Sequence, residues 1–120
     1  MITDTVDGLN ALAARLAAFV SSSETEYHVY AETSGSPERH EALLPGITFS
    51  KTAGSILVAL DHPRGLRVSG SPENLSLWCS YFEFPASATD GNHHHPEYIY
   101  REGYIDSRSL YVIIEVQTDE

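Results

Sequence analysis

Between residues 6 and 20 the apolar side chains Val6, Leu9, Ala13, Leu16 and Val20 recur at intervals of three or four, and Leu12 and Phe19 widen the stripe. That period places them along one face of an α-helix, a face that must be buried against other elements. Thr3 or Asp4 is the expected cap, Asp7 adds negative charge to the first turn, and the serine run Ser21–Ser23 ends the helix. Asn10 and Arg15 interrupt the apolar stretch, which falls short of the roughly 20 residues that span a bilayer. No basic region precedes it, and Asp4 and Asp7 open it, which argues against a signal peptide. A cytoplasmic protein is expected.

The remaining apolar residues come in short runs of strand character. Tyr27, Val29 and Ala31 alternate with His28 and Tyr30, which predicts a strand over residues 26–32. A polar loop follows over 33–41, then a turn at Pro45-Gly46 and a short strand over 47–50. The apolar run 55–60 reads as a central strand, paired as a hairpin with the alternating segment 66–69. Ser71 caps a second helix with Pro72 at its first position; Leu75, Trp78 and Phe82 share a face, and Pro85 stops it. Leu110 to Val116 is rich in β-branched residues and reads as another central strand. These elements predict one α+β domain over residues 1–120, with a mainly antiparallel sheet of about five or six strands and two helices packed on one face.

Seventeen acidic residues against seven basic ones give a net charge of −10, and Lys51 is the single lysine. Such a field repels nucleic acid and anionic membrane and attracts cationic partners. Arg64 and Arg67 make a basic spot too small for a nucleic-acid footprint. One cysteine, Cys79, excludes an internal disulfide and a cysteine-based zinc site. Lying between Trp78 and Tyr81 on an apolar helix, it reads as a small buried hydrophobe rather than a nucleophile. The chain carries no dinucleotide fingerprint, phosphate-binding loop, nucleophile elbow or His-Glu-x-x-His helix. No enzyme activity and no cofactor are expected.

The segment Gly91-Asn92-His93-His94-His95-Pro96-Glu97-Tyr98 is the most unusual stretch. If it is extended, His93, His95 and Glu97 project to one side, a donor set that can ligate zinc or another divalent metal. A further histidine would have to come from His28, His40 or His62, and only His28 falls on a predicted strand. The alternative is a polar segment whose histidines make hydrogen bonds or meet solvent. Farther on, Tyr98, Tyr100 and Tyr104 mingle with Glu97, Glu102 and Asp106. Tyrosines offer large contact areas with polar tips, and carboxylates around them suit a basic protein partner.

The His-rich segment, followed by Tyr104-Ile105, Ser109 and Val112-Ile113-Ile114-Glu115, resembles the C-terminal signature of the immunity protein 32 family of bacterial polymorphic-toxin systems. Leu66 to Leu75 is similar to that family's strand-to-helix entry, so the resemblance covers about residues 66–116. Pro96 and the 99–103 turn depart from the family pattern. The resemblance implies a non-catalytic protein that binds and neutralises a cognate toxin, a basic one given the charge, by blocking its active site or substrate surface. It marks His93, His95, Glu97, Tyr98 and Tyr104 as a shared feature; Tyr100, Glu102 and Asp106 join them as candidate partner-binding residues. The competing reading is a small metal-binding enzyme or sensor built on His93, His95 and Glu97.

Overall fold

The computed structural model describes residues 2–30, 46–61, 63, 65–96 and 104–117. The predicted loop 33–41, His40, His62 and Arg64 lie outside them. The chain opens with strand β1 (Ile2–Asp4) and helix α1 (Val6–Ser21), then β2 (Glu26–Tyr30), β3 (Gly46–Lys51), β4 (Leu57–Asp61) and β5 (Gly65–Gly70). Helix α2 (Pro72–Cys79) runs into a 3-10 turn (Ser80–Phe82), followed by the short strands β6 (His93–His94) and β7 (Ile114–Val116).

The helix ends follow from their caps. Thr5, not Thr3 or Asp4, caps α1: its side chain accepts a hydrogen bond from the Gly8 N–H at 3.0 Å, because residues 2–4 are occupied as a strand. Ser71 caps α2 as expected, accepting from the Asn74 N–H at 3.2 Å, and Pro72 takes the first helical position, where no N–H is needed.

Among the described residues the strands divide between two mixed sheets, which corrects the expected mainly antiparallel sheet of five or six strands. One has the order β2-β3-β5-β4 and the other the order β1-β7-β6. β4 and β5 form the expected hairpin, but β4 lies at the sheet's end and β5 folds back into the place beside β3. Because β4 runs against both, β3 and β5 come out parallel. In the smaller sheet β7 is central, parallel to β1 and antiparallel to β6.

One face of the larger sheet carries the core. Ile47, Phe49, Val58 and Val68 are buried beneath the helices, where Phe49 meets Trp78 at 6.0 Å between ring centroids. The predicted stripe of α1 supplies Leu9, Leu12, Ala13, Leu16 and Phe19 to the same cluster, and the smaller sheet adds Ile114 and Val116. Asn10, which breaks that stripe, ties α1 to the chain after the 3-10 turn. Its side-chain amide donates to the Phe84 carbonyl and accepts from the Phe84 N–H, both at 2.9 Å. The opposite face of the larger sheet is polar. There Arg67 donates to Asp61, Glu26 and Ser50, so it forms a compensated cluster rather than part of a basic spot.

Of the two runs expected to be central strands, 55–60 supplies the terminal strand β4, and the run from Leu110 to Val116 supplies the central but short β7. The outer edge of β4 is covered by residues 104–110: the Ile56 N–H donates to the Tyr104 carbonyl, the Asp106 N–H to the Ile56 carbonyl and the Leu110 N–H to the Val58 carbonyl. That cover stops short of Leu60, which stands 65% exposed. The run from Leu110 to Val116 is a strand only from Ile114, and Tyr111 is 85% exposed. Among the described residues no helix is long and apolar enough to cross a membrane.

Candidate functional site

The His-rich segment enters β6 from a turn in which Gly91 adopts φ 90°, a left-handed conformation that glycine takes without strain. The Gly91 N–H donates to the Val116 carbonyl and the Val116 N–H to the Asn92 carbonyl, which fixes the segment against the central strand β7. His93 and His94 then stand on the strand with distinct roles. His94 is half-buried, stacked on Phe84 at 4.1 Å with 9° between the ring planes, and it meets Tyr81 edge-on at 5.5 Å. Its Nδ1 lies 2.7 Å from the Tyr81 carbonyl oxygen. A carbonyl only accepts, so Nδ1 carries the proton, and in the neutral ring Nε2 is left as an acceptor. His93 is exposed, and its Nδ1 donates to the Gly91 carbonyl at 3.0 Å, leaving the same free Nε2.

Alternation brings the His93 and His95 rings together on one side, with centroids 5.0 Å apart. Glu97, the third member of the expected metal set, lies outside the described residues, as do Tyr98, Tyr100 and Glu102. His28 belongs to the other sheet, where its Nδ1 sits 2.7 Å from Thr48 Oγ1. Among the described residues no three His, Cys, Asp or Glu side chains gather to hold a metal ion.

Other residues of the expected signature hold the fold. Tyr104 is 1% exposed, and its hydroxyl donates to the Pro96 carbonyl at 3.2 Å, so its ring lies in the core and presents no contact area to a partner. Ser109 stands in for a β-ladder residue: its Oγ accepts from the Val58 N–H at 3.0 Å and donates to the Ile56 carbonyl at 3.2 Å. Asp106 is clamped by Arg108, whose guanidinium and backbone N–H donate to its carboxylate. Those hydrogen bonds hold the Asp106 carboxyl down to about 2, so it is ionised at neutral pH.

A shallow open cleft of about 430 Å³ lies beside His94, lined by Phe84, Pro85, Ala88 and residues 91–94. Sequence reasoning missed the Phe84 and Tyr81 walls of the His94 site, because their meeting depends on how the 3-10 turn delivers them to β6. It also missed Leu110 and Tyr111 as exposed residues, since their apolar character matched a buried strand.

Cys79 is buried, and desolvation pushes its thiol up to about 12. At pH 8 only about one thiol in 10⁴ is then ionised, and the thiolate is the reactive form. The native protein is therefore expected to resist a thiol-disulfide reagent at pH 8 and to react stoichiometrically once unfolded. Rapid labelling of the native chain would contradict this account of Cys79. No family model matches the chain, and neither a curated protein nor a solved structure matches it.

Proposed function

We propose that the protein is a non-catalytic immunity protein that binds a basic bacterial toxin and blocks its active site or substrate surface. The observation that carries this reading is the disposition of charge. The net charge is −10, and of the described cations Arg67 and Arg108 are held by carboxylates of the chain itself. Lys51 donates to the Ser22 carbonyl at 2.6 Å and lies 4.7 Å from the centroid of the Phe19 ring. Arg15 stands exposed on α1, but the chain as a whole is strongly anionic, which favours fast encounter with a cationic protein. The resemblance over residues 66–116 supplies the class of partner. Exposed contact area is provided by His93, with Tyr111 and Leu110 beyond the expected set.

Co-expression tests the reading. A toxin encoded beside this gene should arrest growth alone and be tolerated with this protein present. A harmless neighbouring product, or a toxic one that this protein does not rescue, contradicts it. The metal reading keeps one favourable observation, the close His93–His95 pair. Elemental analysis of tag-free protein tests it: one tightly held metal per chain, lost on His93→Ala, would favour it.

A further inference from the structure

Among the described residues four large apolar side chains stand exposed, and three of them, Leu60, Leu110 and Tyr111, gather at the outer edge of β4. The Leu110 N–H donates to the Val58 carbonyl at 2.9 Å, and Leu60 lies two residues, about 7 Å, farther along the strand. The Leu60 side chain ends the core-facing row Val29–Ile47–Leu66–Leu60 across the sheet. Exposure rises toward that end: Ile47 is buried, Leu66 half-buried and Leu60 exposed.

The backbone at Leu60 is open as well. Ile56 and Val58 turn their N–H and C=O groups outward, to Tyr104 and Asp106 and to Ser109 and Leu110. In an antiparallel ladder that direction alternates, so Leu60 is the next residue to turn outward. The cover ends at Leu110, and among the described residues the outward N–H and C=O of Leu60 meet no backbone partner. An open edge beside exposed apolar side chains suits an extended peptide, whose main chain continues the ladder and whose alternate side chains reach the patch.

Charge decides whose peptide it is. A second copy of this chain sets −10 against −10, whereas a basic protein is drawn in by the same field. Asp61, next to Leu60, and Asp106, beside Ile56, are each paired with an arginine, so docking there strips water from neither as a lone charge. We propose that the outer edge of β4 at Leu60 takes up a short extended segment of a basic partner protein, with Leu110 and Tyr111 packing on its side chains. The inference rests on the toxin-binding reading and names the surface for it.

The test is backbone amide exchange of the full chain, alone and with the toxin encoded beside its gene. In the free protein the Leu60 amide should exchange at least about tenfold faster than the bonded amides of Ile56 and Val58, and toxin should slow it at least about tenfold. Leu60→Pro removes the outward N–H and spares the ladder to β5, a position where an edge strand tolerates proline. It should weaken toxin binding about tenfold. Tyr111→Ala, at a residue 85% exposed, should weaken it about as much and keeps the test intact if Leu60→Pro does not fold. Slow exchange of Leu60 in the free chain at every concentration would show the edge already covered. Slowing that grows with protein concentration would assign the edge to a second copy. Either result overturns the proposal. Neutralised toxin with Leu60 exchange unchanged, or with both variants at full affinity, would remove the edge site and leave the immunity reading intact. An edge open in the free chain with no neighbouring product neutralised would contradict the immunity reading, and the proposed partner with it.

Discussion

Replacing Trp78 by alanine should cost about 3–5 kcal/mol of stability, the range seen when a large buried aromatic is truncated. Trp78 is 1% exposed and fills the space between the larger sheet and the helices, with Phe49 at 6.0 Å and Phe82 at 5.8 Å. The loss combines the transfer energy of the indole, the aromatic contacts and the cavity left behind, because the surrounding structure relaxes only in part around a large void. A domain of this size has about 5–15 kcal/mol in all, so the variant should unfold at a much lower urea concentration. Since Trp78 is the only tryptophan, circular dichroism is the readout. A cost under about 1 kcal/mol would mean that the indole is not at the centre of the core.

A comparably large loss is expected for Gly65→Ala. Gly65 has φ +109°, and a Cβ built there would lie 2.2 Å from the Gly46 carbonyl oxygen and 3.0 Å from the Gly46 nitrogen. Those are backbone atoms at the start of β3, next to the parallel register Ile47–Leu66, so relief requires the two strands to separate. Strain of about 1–3 kcal/mol from the backbone conformation adds to that separation, and a total of at least about 3 kcal/mol should appear in urea unfolding. Gly54→Ala is the control. It has φ +96° but nothing within 4 Å of its built Cβ, so it should show the conformational cost alone, about 1–2 kcal/mol. Equal losses at the two positions would show that the close approach of β3 and β5 is not what requires Gly65.

How far the sequence foretold these features depends on how local their causes are. The α1 stripe and the Ser71-Pro72 entry to α2 were legible because period and cap chemistry act within a few residues. The start of α1 was misplaced because Ile2–Asp4 is drawn into strand pairing by Ile114–Val116, at the far end of the chain. The run 55–60 looked central from its apolarity, yet β4 is terminal in its sheet, and residues 104–110 supply the edge cover that its composition reflects. Parallel pairing of β3 with β5 was hidden because β4, between them in sequence, is outside them in space. In the site, alternation correctly brought His93 and His95 together. The same reasoning gave no role to His94, whose place is set by Phe84 and Tyr81 across the fold. The buried state of Tyr104 was equally unreadable, since a tyrosine among carboxylates fits an interface as well as a core.

The central claim is that this protein acts by stoichiometric binding. It is tested most directly by titrating the purified protein into a fixed amount of the toxin encoded beside its gene while following the toxin's own activity. Residual activity should fall in a straight line and reach zero at one protein per toxin, and at a fixed stoichiometry the affinity should weaken as salt rises, because an anionic surface meets a basic one. Inactivation by far less than one equivalent would point to a catalytic protein, and undiminished activity at excess protein would contradict toxin binding altogether.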